Sequence, residues 1–303
     1  QIQNLINDFQ TSDLYEQMKW GREYYQSKNT AIMDRRMLIY SEEEIDEIDP
    51  DTGENVKIPV EMDDPYKANN KLPSGYFKIL VDQKIAYLLS KPVTFEGNQA
   101  AEIEEILGRR FQIILQQVAK DASKQSRGWL HPYIDTDSQF QVTPIPAEQV
   151  IPIYGAVNHD IEKVIRFYKI NLTEGGDKQE VTCVEVWTDT DVSYYRIFEG
   201  NTKLLTPEQM QELLGKPYPN PKAHFYRNKS YGGQVVESGA MSWGSVPFIP
   251  LYNNDEETYD LQPVKNFIDA YDIVNSDFVN NLEDFQDVYW ILKGYGGENL
   301  KTF

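Results

Sequence analysis

The sequence predicts an α+β fold of about two domains, helical in its first half, β-rich in its second, and followed by one long helix. Three features carry that reading. Apolar residues recur at helical spacing up to about residue 128, the period shifts toward two over residues 129–205, and one apolar stripe runs from Val264 to Tyr289. The 303-residue chain is 40% hydrophobic and 13% aromatic, with its glycines and prolines dispersed, which suits a packed core rather than a disordered chain.

Over residues 5–40 the apolar positions Leu14, Met18, Trp20, Ile32, Met37 and Leu38 fit two short amphipathic helices, broken near residues 27–30. Residues 41–64 carry many acids with Lys57 as their only base, and contain the turn signal Asp49-Pro50-Asp51-Thr52-Gly53. An acidic loop or hairpin is expected there. A calcium loop would need alternating Asp/Asn ligands, a central Gly and a terminal bidentate Glu, a pattern this stretch lacks. A helix is expected over residues 76–90, with Phe77, Leu80, Val81, Ile85, Leu88 and Leu89 on one side and Pro92 after its end. Another is expected over residues 100–123, with Ile103, Ile106, Leu107, Phe111, Ile114, Leu115 and Val118.

Period-two runs then follow at residues 140–142, 150–154, 164–168, 181–187 and 194–198, and the last two flank Thr188-Asp189-Thr190-Asp191 as a hairpin would. Residues 206–244 hold Pro217, Pro219, Pro221 and Gly232-Gly233 and read as a linker. Residues 246–252 read as a strand and residues 253–257 as a turn.

The final helix is expected from Asp260, as N-cap, to about Val288. Its stripe comprises Val264, Phe267, Ile268, Tyr271, Val274, Phe278, Leu282, Phe285 and Tyr289. The opposite side carries Asp269, Asp277, Asn280, Glu283, Asp284 and Asp287, with Lys265 the only base between Asp260 and Asp287. Exposed helices ordinarily mix signs in i,i+4 pairs, so a one-signed face asks for a cause.

Lys+Arg 29 against Asp+Glu 48 gives a net charge of -19, the wrong sign for a protein that grips nucleic acid by neutralising phosphates. That charge does not exclude a protein past which DNA must slide, since like charge would stop the polymer sticking to the wall. The lone Cys183 lies in an apolar run and reads as a packed thiol. His131, His159 and His224 stand apart from one another, without zinc spacing. There is no GxSxG elbow, and Gly294-Tyr295-Gly296-Gly297 lacks both P-loop and dinucleotide spacing. No catalytic site, cofactor or metal is read from the sequence, and an enzyme is not expected. No window approaches the roughly 20 apolar residues of a membrane span. The first residue is Gln1 and the last are Lys301-Thr302-Phe303, which reads as a fragment of a longer chain.

Several segments together resemble the portal proteins of tailed bacteriophages, in particular the family of long-tailed phages of Gram-positive bacteria. They are Tyr66-Lys67-Ala68-Asn69-Asn70-Lys71-Leu72, residues 79–93, residues 244–250, Asn253-Asn254, and Ile268-Asp269-Ala270-Tyr271-Asp272 through Ser276-Asp277 to Asn281-Leu282-Glu283-Asp284-Phe285. The resemblance runs from about Tyr15 to the end, and the order and spacing of the segments carry it.

The resemblance implies a non-enzymatic ring, usually of twelve subunits, at one capsid vertex in the virion, assembled in the host cytoplasm. Such a ring encloses double-stranded DNA in passage without reading its sequence. It docks the terminase large subunit, binds the head-tail adaptor protein, and meets the major capsid and scaffolding proteins. No membrane is implied. Residues 1–258 would form the wing, helical to about 128 and β-rich over 129–252. Residues 259–288 would form the first stem helix, and residues 289–303 would begin the clip. The rest of the clip, the second stem helix and the crown would follow beyond this sequence.

Within that reading Asp269, Asn280, Glu283, Asp284 and Asp287 are expected to face the channel, where like charge would keep DNA sliding. Phe267, Tyr271, Phe278 and Phe285 are expected to pack inside or between subunits. A tail, baseplate or head-completion adaptor that never encloses DNA is the alternative. A glycosidase built on paired carboxylates is the third reading, weakened because any acidic chain offers such pairs by chance.

Overall fold

Why the chain breaks where it does is written mostly in its caps and glycines. The structure, a computed structural model, describes residues 1–48, 55–64, 67–135, 138–157, 160–174, 177–198, 200–231 and 234–285. Helices α1 (Ile2–Gln10) and α2 (Asp13–Tyr25) meet at Ser12, whose hydroxyl accepts from the Tyr15 amide as N-cap of α2. A one-turn helix α3 (Thr30–Met33) follows, then strands β1 (Leu38–Ile48) and β2 (Asn55–Asp63), which pair antiparallel as a hairpin. The first 40 residues therefore hold three helices and the start of a strand, where two helices were expected.

Helix α4 (Tyr76–Leu88) buries Phe77, Val81 and Ile85 at the expected four-residue spacing, while Leu80 and Leu88 stay exposed. The helix expected over residues 100–123 is instead two, α5 (Ala100–Leu107) and α6 (Arg110–Gln125). Gly108 lies between them at φ +62°, a conformation that ends α5 and that a side chain would strain.

Strands β3 (Arg127–Ile134), β4 (Phe140–Ile145), β5 (Val150–Tyr154), β6 (Ile161–Glu174), β7 (Asp177–Trp187), β8 (Asp191–Phe198) and β9 (Asn201–Leu204) follow. Residues 206–244 are not a linker. They form α7 (Pro207–Leu214), β10 (Lys222–Ala223), and the antiparallel pair β11 (Phe225–Tyr231) and β12 (Gln234–Met241). Thr206 and Gln209 cap α7 reciprocally, with a proline in its first turn and Gly215 in the left-handed conformation at its end. Strand β13 (Ile249–Tyr252) and helix α8 (Lys265–Asp284) complete the described elements.

Two compact units emerge. One joins Gln1–Gln26 to Tyr76–Pro263, and the other joins Ser27–Gly75 to the described residues from Val264 onward. The first unit is built on an antiparallel sheet in the order β10-β8-β7-β6-β5, with β9 beside β8, and a smaller sheet β13-β3-β4. Both faces of the larger sheet are covered. Val164, Trp187, Val192 and Tyr194 face a core with Met18, Trp129, Val150, Met210 and Phe248, while Ile165, Phe167 and Val184 face Ile6. Adjacent residues of one strand thus enter opposite cores, and Val164-Ile165 has no polar alternation to offer. Cys183 is buried in β7 as a free thiol.

Helices α2 and α6 approach so closely that a Cβ on Gly21 would sit 1.8 Å from the Lys124 carbonyl oxygen. A second tie in this unit explains why α8 begins at Lys265 and not at Asp260. The Asp260 carboxylate is occupied by Lys84 Nζ at 2.7 Å, by Asn253 Nδ2 at 2.9 Å and by the Ser123 hydroxyl, so it caps no helix. Burial alone would raise this carboxyl, but the hydrogen bonds from Lys84, Ser123 and Asn253 outweigh it and hold the group below the usual carboxylate range. Pro263 also disfavours helical geometry at Gln262 before it.

Candidate functional site, a helix and its strap

Helix α8 inverts the usual arrangement of an amphipathic helix. At 20 residues it is about 30 Å long. At about 100° per residue, Phe267, Tyr271, Val274, Phe278, Leu282 and Phe285 fall within a narrow arc, and Asp272, Ser276, Asn280 and Asp284 form a line on the far side. The apolar arc is the exposed one, from 47% at Tyr271 to 76% at Phe267. Asp272, Ser276 and Asn280 are buried. Ile268, at the margin, is the buried apolar residue of the helix.

A strap of residues 67–75, without regular secondary structure, covers the polar line. Its amides enter one after another. Ser74 N donates to Asp272 Oδ1 at 2.9 Å, Leu72 N to Ser276 Oγ at 3.1 Å, Asn70 N to Asn280 Oδ1 at 2.6 Å, and Ala68 N to Asp284 Oδ1 at 3.0 Å. Two residues of extended chain advance about 6.6 Å and four residues of helix about 6 Å, so every second amide meets every fourth side chain with the strap antiparallel to the helix. Pro73 falls at an alternate position, where the missing N–H costs no bond to this line. At the inner end the buried Asn29 donates Nδ2 to the Ser74 carbonyl at 3.1 Å and to Asp272.

The one-signed polar face now has a structural cause. All five acids of α8 are engaged within this unit: Asp272 and Asp284 with the strap amides, Glu283 with the Asn70 carboxamide, Asp269 with Lys265 at 2.7 Å, and Asp277 with Arg35 at 2.6 Å. Of the residues expected to face a channel, Glu283 and Asp284 remain exposed despite these bonds, and Asp269 is half-buried in its ion pair. Asn280 is corrected. It is buried beneath the strap, its carbonyl oxygen taken by the Asn70 amide, so it offers no free surface. Asp287 lies outside the described residues, as do the end of the expected helix near Val288, the clip residues 289–303 and the glycine run at 294–297.

Phe267, Tyr271, Phe278 and Phe285, expected to pack inside or between subunits, are exposed on the chain itself. Intrasubunit burial of these rings is therefore absent among the described residues. Sequence reasoning missed Asn29, Asp272 and Ser276 as strap-holding residues. The signal was present as four small hydrogen-bonding side chains at strict four-residue intervals, Asp272, Ser276, Asn280 and Asp284.

Elsewhere the polar groups are those of a core. His131 is buried against Trp187 and Phe248, its Nδ1 is 2.7 Å from the Pro247 carbonyl, and burial pushes the imidazole down to about 4. Glu148 is raised by burial, partly offset by Arg22 and Gln125, which both contact it. His159 lies outside the described residues. Among the described residues no three His, Cys, Asp or Glu side chains stand together in a way that could hold a metal ion, and no described helix is long and apolar enough to cross a membrane.

The family model described as phage portal protein, SPP1 Gp6-like, matches residues 8–303. The chain is 34% identical over 244 residues to the portal protein of Bacillus phage SPP1, an alignment covering 79% of this chain and 44% of that protein. It is 30% identical over 253 residues to the portal protein of Clostridium phage phiCD119, covering 78% of this chain and 50% of that one. The chain thus spans about half the length of the curated relatives it matches.

Proposed function

From the premise that this chain belongs to the SPP1 Gp6-like family of phage portal proteins, we propose that it is part of a subunit of the ring through which the genome enters and leaves the capsid. In this reading residues 1–258 are the wing, residues 259–288, which include α8, are the first stem segment, and residues 289–303 begin the clip. The terminase large subunit, the head-tail adaptor, and the capsid and scaffolding proteins are its partners. The ring has no catalytic task of its own.

The observation that carries the proposal is the outward apolar arc of α8. A helix some 30 Å long that exposes three phenylalanines, a valine and a leucine along one line is built to be covered. A head-to-tail ring covers such a face by presenting a different surface of the next subunit, and closes by rotation. Glu283 and Asp284, exposed at the end of the described helix, are then the groups of α8 best able to present negative charge to passing DNA, and Asp287, outside the described residues, is expected to join them.

Native mass spectrometry with negative-stain imaging of the whole coding product tests the proposal. A closed ring with a central hole is expected. A monomer or dimer at all concentrations and salt conditions would overturn it and favour the adaptor reading. For the channel wall, Glu283→Lys with Asp287→Lys is expected to leave rings intact and slow DNA translocation, because added cations grip phosphates. An unchanged rate and salt response would remove these residues from the wall.

A further inference from the structure

We propose that the strap over residues 68–74 opens from α8 as one cooperative unit, latched by the node where Asn29, Ser74 and Asp272 meet. Its attachment is the first reason. The strap reaches the helix through four backbone-amide hydrogen bonds and the Asn70 carboxamide on Glu283, Lys71 Nζ reaches the Met33 carbonyl, and no residue from 67 to 75 is itself buried. A segment held by few polar bonds with half-exposed side chains belongs to the low-stability end of a structure.

Geometry makes the opening collective. The four donors lie on one edge of the strap and the four acceptors on one line of the helix. Rotation of the strap about its own axis therefore turns all four amides away together, and a slip by one residue would set Pro73, which has no N–H, against the acceptors. The closed state also carries a cost. Asn29 Oδ1, Ser74 Oγ and Asn280 Nδ2 are buried without a hydrogen-bond partner, and each regains solvation when the strap lifts. Against that stands the latch, where one buried carboxylate and one buried carboxamide together hold the strap's amide and carbonyl at Ser74. Opening uncovers a row of hydrogen-bonding side chains at about 6 Å spacing along the helix.

Amide hydrogen exchange on the 303-residue chain, resolved by residue, tests this. The amides of Ala68, Asn70, Leu72 and Ser74 are expected to share one opening equilibrium, less protected than the amides of Val274 and Phe278 inside α8. Ala68→Pro removes the outermost donor at a partly exposed position, and is expected to speed exchange at Asn70, Leu72 and Ser74 together by roughly tenfold. Asn29→Ala, which breaks the latch, is expected to speed all four. Four separate rates, an effect of Ala68→Pro confined to Asn70, or strap exchange only at the rate of α8 unfolding would each overturn the proposal. Should Asn29→Ala fail to fold, the proline variant and the unmodified chain decide it.

Discussion

The amide of Ser74 donates to Asp272 at 2.9 Å across almost 200 residues of sequence, and this bond sits where the strap, the loop carrying Asn29 and the long helix meet. Asp272 is fully buried, and the Ser74 amide and the Asn29 carboxamide are the donors that its two side-chain oxygens meet there. Asp272→Ala leaves the Ser74 amide and the Asn29 carboxamide short of an acceptor. A loss of about 2 to 4 kcal/mol is expected in urea unfolding monitored on the strap-bearing unit. A loss under 0.5 kcal/mol would mean that water replaces the carboxylate freely.

Phe278 contributes to the chain's outer surface rather than to its core. Phe278→Glu is expected to leave the stability of the isolated chain within about 0.5 kcal/mol, yet to abolish ring formation by the whole protein. The pair of readouts separates an interface residue from a packing residue, since a core phenylalanine would cost several kcal/mol in the isolated chain.

Gly21 permits the contact between α2 and α6. A methyl group placed 1.8 Å from the Lys124 carbonyl must push the helices apart, and backbone has no flexible end that can yield. Gly21→Ala is expected to destabilise the first unit by about 2 to 4 kcal/mol in thermal or denaturant unfolding, although alanine is the better helix former.

His131 makes the first unit sensitive to mild acid. Its native pKa of about 4 lies below the ordinary 6.5, so between those values the unfolded chain binds the proton and the folded chain does not. Stability is therefore complete above about pH 6.5 and declines as the pH falls toward 4, by about 2 to 3 kcal/mol from this group. His131→Phe is expected to flatten that slope in unfolding measured from pH 7 to pH 4. An unchanged slope would assign it to other groups. The Asp260 carboxyl acts lower, since its depressed pKa keeps its contribution in place until the pH falls through its native value.

The sequence was most legible where pattern and burial coincide. Phe77, Val81 and Ile85 recur every four residues and are the buried face of α4, and the hairpin around residues 188–191 follows from alternation on either side. Helix α7 escaped because prolines downstream drew the whole region toward a linker, although Thr206-Pro207-Glu208-Gln209 spells a capping box with proline at its first position. Gly232-Gly233 between two short runs was likewise a hairpin signal, and the flanking strands β11 and β12 do pair.

The long helix was legible as a helix, but not in which face its own chain covers, for a deeper reason. Periodicity shows that a helix has two faces, but not which of them its own chain covers. Apolar faces are usually buried, and in α8 the covered face is the line of Asp272, Ser276 and Asn280, because a distant strap with alternate free amides needs acceptors more than it needs oil. The partner of that line lies some 200 residues away in sequence, and no local pattern in the helix names it.

The central claim is that the outward arc of α8 is a subunit interface, and hydroxyl-radical footprinting of Phe267, Phe278 and Phe285 tests it most directly. Oxidation of the three rings would be compared between the dissociated chain and the assembled particle. The account expects ready oxidation in the dissociated chain and at least severalfold protection on assembly, with Tyr87, exposed on the first unit, as internal reference. Equal oxidation of the three rings in both states, with assembly verified by mass, would contradict it.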